Sequence, residues 1–299
     1  MSYHNPVLLE ESVDALEIKE SGVYVDVTFG GGGHSKEILE RLGNEGKLFA
    51  FDQDPDAATN KIDDNRLIFI PENFRYISRF LRFHGVRKVD GILADLGVSS
   101  HQFDEADRGF STRFDGDLDM RMNQKSKKSA KKIINEYTEE KLAEILFLYG
   151  ELRNSRKIAR EIVHQRSRNP IETSFQLKEI LKTFLPKSRE HKILAQIYQA
   201  IRIEVNEELD VLREFLQQVP SLLKEDGRLS VISYHSLEDR LVKRFIRTGL
   251  FEGEPEKDVF GNTDEPLQKI GKLIIPSKEE IKINNRARSA KLRIATLKG

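Results

Sequence analysis

The fold class is decided by one stretch of the sequence, Val23-Tyr24-Val25-Asp26-Val27-Thr28-Phe29-Gly30-Gly31-Gly32-Gly33-His34. Residues 23–29 form a largely apolar run that predicts a buried strand, and the run ends in four consecutive glycines. Helical spacing of apolar residues follows at Ile38, Leu39 and Leu42. A strand, a glycine-rich turn and a helix in this order are typical of the first unit of a parallel α/β sheet, and ligands bind at such turns.

Strands and helices continue to alternate downstream of this stretch. Further apolar runs predict strands at 48–51, 67–70, 91–94, 229–233 and 291–297. Helical spacing around Ile77, Phe80 and Leu81 lies between the third and fourth strands. The alternation predicts an α/β protein with parallel βαβ units in a doubly wound, Rossmann-like sheet.

The region after the fourth predicted strand has a different pattern. Residues 97–122 have no clear period and predict a long structured loop, after which Thr138 and Ser174 are predicted to cap helices. Residues 197–223 are again predicted to be helical. We therefore expect a sheet domain in two parts with a helical domain inserted between them, in the order 1–114, 115–194 and 195–299.

The composition is that of a globular protein with a heavily charged surface. Of the 299 residues, 38% are hydrophobic and 33% are charged. No run approaches the ~20 consecutive apolar residues of a membrane span, and the first residues lack the profile of a signal peptide. Cysteine is absent, which excludes disulfides and thiolate chemistry and fits a reducing cytoplasm.

The charge is unevenly distributed, although 49 basic and 49 acidic residues cancel over the whole chain. Residues 1–124 carry 14 basic against 23 acidic side chains, whereas residues 125–192 carry 17 against 9. A basic block in a neutral protein is typical of a surface that binds a polyanion, although basic side chains also solvate helix faces. Salt-sensitive contacts with a polyanion are expected from 125–132, 153–168 or 286–293.

The glycine-rich turn fits one kind of nucleotide cofactor better than another. A dinucleotide turn has the pattern G-x-G-x-x-G, but counting from Gly30 puts Ser35 at the third glycine position. The pattern D-x-x-x-G-x-G fits Asp26, Gly30 and Gly32 and is that of methyltransferases that use S-adenosylmethionine (AdoMet). AdoMet has no pyrophosphate, and its ammonium and sulfonium favour acidic surroundings. A dinucleotide-dependent oxidoreductase is the alternative, although no hydride-transfer acid is evident.

Two further carboxylates follow predicted strands. Asp52 ends the second strand about 20 residues after the turn, where a carboxylate can accept both ribose hydroxyls, although a plain strand-end carboxylate is the alternative. Asp95 ends the fourth predicted strand, and ligands of doubly wound sheets bind at these strand ends.

Several motifs occur in a specific order along essentially the full chain. They are Asn5-Pro6-Val7-Leu8-Leu9, Thr28-Phe29-Gly30-Gly31-Gly32-Gly33-His34-Ser35, Asp52-Gln53-Asp54-Pro55, Asp95-Leu96-Gly97-Val98-Ser99-Ser100, Arg108-Gly109-Phe110-Ser111, Leu118-Asp119-Met120-Arg121-Met122, Gln199-Ala200-Ile201-Arg202-Ile203-Glu204-Val205-Asn206 and His235-Ser236-Leu237-Glu238-Asp239. Together they closely resemble the ribosomal RNA small subunit methyltransferase H family.

The resemblance implies AdoMet-dependent N4-methylation of a cytidine in 16S rRNA, near the decoding site of the small ribosomal subunit. It implies a methyltransferase domain formed by 1–114 and 195–299, with 115–194 as the inserted substrate-recognition domain. It also implies 16S rRNA or the small subunit as the partner, a cytoplasmic location, and a possible homodimer. Carried over by position, the family's cofactor contacts fall on Gly32, Gly33, His34, Asp52, Phe74, Asp95 and Gln102. Asp52 would hold the ribose, and Phe74 would lie against the adenine.

The implied reaction sets requirements on the site. A cytosine N4 lone pair is delocalised into the ring, so the enzyme must orient the amine and accept its hydrogens. We expect Asp95 as the catalytic residue, or carbonyls of the 96–99 turn, to supply these acceptors. No metal is needed, and no histidine spacing predicts a metal site. A non-catalytic RNA-binding assembly factor on the same fold is the alternative function.

Overall fold

The computed structural model describes residues 6–60, 62–258, 260 and 263–298. The chain divides into two units, one formed by Met1–Gly97 with Leu209–Gly299 and the other by Val98–Glu208. No helix in the described part of the chain is long and apolar enough to cross a membrane.

A mixed sheet forms the frame of the first unit. Its strands are β1 (Val23–Asp26), β2 (Lys47–Phe51), β3 (Leu67–Ile70), β4 (Val89–Asp95), β5 (Leu223–Ser233), β6 (Leu267–Ile274) and β7 (Lys291–Leu297). The described residues form seven strands in the order β3-β2-β1-β4-β5-β7-β6. The strands from β1 to β5 pair in parallel, whereas β7 is antiparallel to both β5 and β6. The predicted α/β class is confirmed, but the expected parallel sheet has an antiparallel strand near one edge.

Helices cover both faces of this sheet. They are α1 (Leu9–Asp14), α2 (Gly33–Arg41), α3 (Ile77–Phe83), α10 (Glu208–Leu222) and α11 (Ser236–Thr248), whereas the short helix α12 (Lys278–Ile283) has no buried residue. Successive residues of a strand point to opposite faces, and both Tyr24 and Val25 of β1 are fully buried. Tyr24 packs with residues of α1 and α2, whereas Val25 packs with residues of α3, α10 and α11. Burial on both faces holds the strand ends in fixed positions.

The second unit is helical. Its helices are α4 (Ser100–Asp104), α5 (Ala130–Glu136), α6 (Glu139–Leu148), α7 (Ser155–Arg166), α8 (Ser174–Leu181) and α9 (Glu190–Asn206). Thr138 caps α6, as predicted. The predicted cap at Ser174 is wrong, because Thr173 caps α8 and Ser174 is the first helical residue. The Ser174 hydroxyl donates instead to the carbonyl of Phe114, at 3.0 Å.

The bounds of this unit differ from the expected 115–194 at both ends. Residues 97–122, predicted to be a loop, contain α4 and bury apolar side chains in the helical core, among them Phe110, Leu118 and Met120. At the other end, α9 buries its apolar face in the same core. The helix predicted at 197–223 is two helices, because Glu207 between them has a left-handed φ of 53°.

Candidate active site

Neighbouring strands of the sheet carry aspartates at their carboxyl ends. Asp26 and Asp95 are the last residues of β1 and β4, and Asp52 directly follows β2. Since β2, β1 and β4 are adjacent and parallel, the three aspartates lie along one edge of the sheet. This edge concentrates carboxylates beside the glycine-rich turn that follows β1.

Asp26 holds the glycine-rich turn against α2. Its side chain is fully buried, and its two oxygens accept from the Ser35 hydroxyl at 2.7 Å and from the Thr28 amide at 3.0 Å. The pKa of this carboxyl is raised, because the effect of burial exceeds that of the hydrogen bonds from Ser35 and Thr28, which lower it. Ser35, which occupies the third glycine position of a dinucleotide pattern, therefore has a structural role in this turn.

The turn itself depends on glycine. Gly30 and Gly32 have left-handed φ angles of 50° and 79°, which residues with a Cβ adopt at a cost. Gly32 is also the N-cap residue of α2. At Gly33, an added Cβ would lie 2.2 Å from the Cγ of Pro6. The main chain therefore forms a tight turn packed closely against the segment that precedes α1.

Asp52 closes the turn from the side of β2. One carboxylate oxygen accepts from the Gly30 amide at 2.8 Å, and the other accepts from the Asp54 amide at 2.9 Å. Burial raises the pKa of Asp52 from 3.8 to about 6. Each carboxylate oxygen has two acceptor positions, so both retain capacity for another donor such as a ribose hydroxyl. The predicted ribose contact is therefore compatible with this geometry.

Phe74 lies beyond the end of β3, in the 3₁₀ turn Phe74–Tyr76. Asn73 caps this turn and also donates from its side-chain amide to Gln53 at 2.9 Å, which ties the turn to the residue after Asp52. The half-buried ring meets Phe215 edge-on, with the ring centroids 5.3 Å apart. Phe74 is therefore fixed in position, as a platform for a flat ligand must be.

Asp95 is anchored through its main chain and its side chain. Its amide donates to the Thr28 hydroxyl oxygen at 2.7 Å, and its Oδ1 accepts from the Tyr234 hydroxyl at 2.7 Å. Burial raises the pKa of Asp95 to about 6, yet 23% of the side-chain surface remains exposed. A raised pKa combined with accessibility is typical of a general base.

His34 lies in the first turn of α2, close to Asp95. Its Nε2 lies 3.3 Å from the Val7 carbonyl oxygen, and its Nδ1 lies 3.9 Å from Oδ2 of Asp95. Burial lowers the pKa of His34, so the neutral ring prevails near pH 7. The first unit thus places six of the predicted site residues at one edge of its sheet: Gly32, Gly33, His34, Asp52, Phe74 and Asp95.

Gln102 belongs to the second unit, in α4. Its side-chain oxygen accepts from the main-chain amide of Ser99 at 3.0 Å, and its main-chain amide donates to the Ser99 hydroxyl at 3.2 Å. This reciprocal pair is a capping box that fixes the start of α4. The cofactor contact expected of Gln102 stays a prediction.

Sequence reasoning did not identify Thr28 and Tyr234 as partners of Asp95. Thr28 lies within the turn that the sequence singled out, but its hydroxyl had no assigned role. Tyr234 directly follows β5, which is the sheet neighbour of β4. Because Tyr234 follows a predicted strand, its position in the sequence could have predicted that it lies at the same edge of the sheet as Asp95.

The predicted basic segments of the second unit are only partly free of internal contacts. Lys128 pairs with Glu204 and Glu207, and Lys131 pairs with Glu172. Within the described part of the chain, four exposed cations on and beside α7 have no ion-pair or hydrogen-bond partner for their side chains: Arg153, Arg156, Lys157 and Arg168. The opposite face of α7 is buried. We call these four residues the basic face of α7.

The third predicted basic segment, 286–293, has a different character. Lys291 and Arg293 both bind the carboxylate of Asp239, at 3.1 Å and 2.7 Å. Arg293 is a β7 residue, and Asp239 lies in the first turn of α11. These two cations therefore contribute to the structure of the first unit by joining α11 to β7.

Comparison with known proteins extends over the whole chain. A family model described as the MraW methylase family matches residues 1–298. The protein named ribosomal RNA small subunit methyltransferase H from Christiangramia forsetii is 68% identical over 295 residues, which cover 99% of this chain and 98% of that protein. The protein of the same name from Flavobacterium johnsoniae is 66% identical, over 99% of this chain and 98% of its own length. The one from Parabacteroides distasonis is 55% identical, over 98% of this chain and 97% of its own length.

A solved structure of an rRNA methylase from Streptococcus thermophilus aligns with 100% of this chain and 99% of its own, with a TM-score of 0.45 and 11% identity. The assignment rests on the sequence relatives, which confirm the resemblance inferred from the motifs. Because the family model and these relatives align almost from end to end, the chain belongs to the MraW methylase family.

Proposed function

We propose that this protein transfers a methyl group from AdoMet to N4 of a cytidine in 16S rRNA, near the decoding site of the small ribosomal subunit. The observation that carries the proposal is the partly exposed Asp95 carboxylate, with its pKa raised to about 6, beside a glycine-rich turn. Family membership supports methyl transfer, and the name of the relatives supports small-subunit rRNA as the substrate. The choice of cytidine N4 comes from the motif resemblance.

The residues of the sheet edge fit AdoMet. The cofactor carries an ammonium and a sulfonium, and a cation next to Asp52 or Asp95 stabilises the ionised carboxylate that burial disfavours. The pyrophosphate of a dinucleotide would instead meet like charge at this edge. We assign the glycines to the methionine part, Asp52 to the ribose and Phe74 to the adenine, and the full contact set is Gly32, Gly33, His34, Asp52, Phe74, Asp95 and Gln102.

The chemistry is a direct displacement. AdoMet supplies an electrophilic methyl group on its sulfonium when bound. The new N–C bond forms as the C–S bond breaks, so the electron pair of that bond goes to sulfur, and N4 must lose a proton. Asp95 orients the amine and takes up that proton, which then passes to water. The target base must leave its stack to reach the strand end, so the RNA presents it unstacked.

We propose that the second unit contributes the RNA contact, through the basic face of α7. Four exposed cations on and beside one helix, without partners among the described residues, are suited to a phosphate backbone, which binds through charge and gives salt-dependent affinity. The strand-end aspartates of the first unit, by contrast, suit a cationic cofactor.

The test is transfer of a labelled methyl group from AdoMet to small subunits and to free 16S rRNA that lack the modification. We expect the label in one of these substrates, and nucleoside digestion should recover it as N4-methylcytidine. Label in another nucleoside would retain the methyltransferase and overturn the choice of cytidine N4. No transfer to either substrate, with RNA binding intact, would favour the non-catalytic assembly factor.

Cofactor binding separates the methyltransferase from an oxidoreductase. We expect saturable binding of AdoMet and of S-adenosylhomocysteine by calorimetry, and no saturable binding of NAD. Binding of NAD without AdoMet would contradict the cofactor assignment.

A further inference from the structure

The carboxylate of Asp95 has an asymmetric environment. Its Oδ1 accepts from the Tyr234 hydroxyl at 2.7 Å. Among the described residues, no other group donates a hydrogen bond to this carboxylate, and Oδ2 is directed towards His34 at 3.9 Å, beyond hydrogen-bond distance. One oxygen is therefore fixed by the protein, and the other retains its acceptor capacity.

His34 does not replace Tyr234 as a donor. Its Nε2 lies 3.3 Å from the Val7 carbonyl oxygen, which fits the tautomer with hydrogen on Nε2. In that tautomer the Nδ1 lone pair is directed towards Asp95. A protonated His34 would lower the pKa of Asp95, but burial lowers the pKa of His34 itself. Near neutral pH the hydroxyl of Tyr234 is therefore the main contact that favours the ionised carboxylate.

The other charged neighbours act in the opposite direction. Asp26 on β1 and Glu238 on α11 both raise the pKa of Asp95, in addition to the larger effect of burial. The hydrogen bond from Tyr234 lowers it. Without this donor, burial and the charges of Asp26 and Glu238 favour protonation of the carboxylate, and His34 opposes them only when it is protonated.

Tyr234 is well placed to orient Asp95. It directly follows β5, and its amide donates to the Glu238 carboxylate at 2.9 Å. Its half-buried side chain packs against the cluster that contains Val7, Leu8 and Ile232. The main-chain hydrogen bond and the packing of the ring together hold the hydroxyl in place.

We propose that Tyr234 is a positioning residue for methyl transfer, because its hydroxyl occupies Oδ1 and orients Asp95 so that Oδ2 accepts the hydrogen of the attacking amine. The proposal rests on the proposed function, since it concerns the same carboxylate. It has two consequences. Tyr234→Phe should raise the pKa of Asp95, and it should move the acidic limb of the activity profile to higher pH.

The first test uses the free protein. The side-chain carboxyl carbon of Asp95 is followed by NMR as a function of pH in the wild type and in Tyr234→Phe, with Asp95→Asn used to assign the signal. We expect the titration midpoint to move to higher pH in Tyr234→Phe. Tyr24→Phe is the control, because the Tyr24 hydroxyl accepts from the Lys19 amide near the other end of β1, and it should leave the midpoint unchanged.

The second test measures the pH dependence of methyl transfer at saturating AdoMet. In Tyr234→Phe we expect kcat at pH 6.5 to fall on the order of tenfold, whereas kcat at pH 8.5 stays within about threefold of the wild type. The affinity for S-adenosylhomocysteine at pH 8.5 should change by less than about threefold. A merely structural role would reduce activity equally at both pH values.

The outcomes separate this proposal from the proposed function. An unchanged Asp95 midpoint, or an unchanged acidic limb, would overturn the role of Tyr234. If the wild type transferred no methyl group to any RNA and the midpoint still moved, the proposed function would be wrong, and the coupling of Tyr234 to Asp95 would stand.

Discussion

The amide of Asp95 donates a 2.7 Å hydrogen bond to the side-chain oxygen of Thr28, so the end of β4 is fastened to the turn after β1. The two residues are 67 positions apart in the chain. Because Thr28 also contacts Asp26 through its amide, one threonine joins the glycine-rich turn to two of the three strand-end aspartates.

Removal of this oxygen should be costly. Thr28→Val keeps the shape of the side chain and leaves the Asp95 amide without its acceptor, which should lower the free energy of unfolding by about 1–3 kcal/mol. Thr28→Ser keeps the oxygen and should cost less than about 1 kcal/mol. Urea denaturation of the two variants measures the difference, and equal stabilities would show that this hydrogen bond is unimportant.

Asp95→Asn tests the carboxylate as a base. The amide can still accept from the Tyr234 hydroxyl, so the fold should be retained, but kcat should fall by at least about 100-fold because a neutral amide accepts a proton poorly. Asp90→Asn is the control on the same strand, since Asp90 accepts from the Val23 amide and pairs with Lys224, near the start of β4. Wild-type methyl transfer by Asp95→Asn would remove Asp95 from the mechanism.

AdoMet binding should depend on pH through Asp52 and Asp95, both of which have a pKa raised to about 6. A cationic ligand favours ionised carboxylates, so binding should lower both pKa values and release protons between about pH 5 and 7. The affinity should therefore weaken as pH falls from 7 to 5. Calorimetry in buffers with different ionisation enthalpies counts the protons, and proton uptake would contradict the predicted sign.

The stability of the ligand-free protein should have the opposite dependence on pH. The pKa of both carboxyls is higher in the folded state than the ordinary value of 3.8, so the folded state binds more protons between about pH 4 and 6. Their contribution to stability is present below pH 4 and is lost as pH rises through 6, by at most about 3 kcal/mol each. Asp52→Asn should reduce this part of the pH dependence in thermal unfolding.

Gly33→Ala should destabilise the start of α2. The added Cβ would lie 2.2 Å from the Pro6 side chain, so either the segment around Pro6 or the helix must shift, at a cost of about 1–3 kcal/mol. Lys36→Ala is the control in the same helix, because the Lys36 side chain is 72% exposed. Chemical denaturation compares them, and equal stabilities would show that the contact with Pro6 relaxes at little cost.

The basic face of α7 should carry part of the salt dependence of RNA binding. Simultaneous replacement of Arg153, Arg156, Lys157 and Arg168 with glutamine should weaken binding and reduce the slope of log K against log salt by up to about 3. The matched control replaces four exposed cations of the first unit, namely Lys47, Arg79, Arg82 and Arg87, with glutamine. Equal slopes for the two variants would exclude α7 as the RNA contact.

The strand-end residues of the site could be predicted because they depend on local pattern alone. Asp26, Asp52 and Asp95 each follow an apolar run, and parallel strands bring their carboxyl ends to one edge. The contact between Tyr234 and Asp95 could not be predicted in this way. It spans 139 positions and depends on β5 lying beside β4, with Asp95 opposite Ile232.

Other differences also have local causes. The strand β6 was not predicted from the sequence. Most of its side chains are exposed, so its sequence lacks the apolar run of a buried strand. Thr173 and Ser174 are both good capping residues, and the choice between them depends on Gln176, which completes a capping box with Thr173. The number of basic residues in 125–132 overestimates the cations available to RNA, because Lys128 and Lys131 form ion pairs with acidic residues far along the chain.

The interruption of the first unit between Gly97 and Leu209 also sets the order in which the protein can fold. Pairing of β4 with β5 closes a loop of more than 100 residues, which costs about 1.5 kcal/mol more entropy than a crossover of about 20 residues. Phe215 and Val231, which complete the core around Val25, are synthesised only after the whole insertion. We therefore expect a nascent chain that ends before Leu209 to expose the edge of β4 and an unfinished apolar face, so its dependence on chaperones should be greatest before β5 (Leu223–Ser233) has been synthesised.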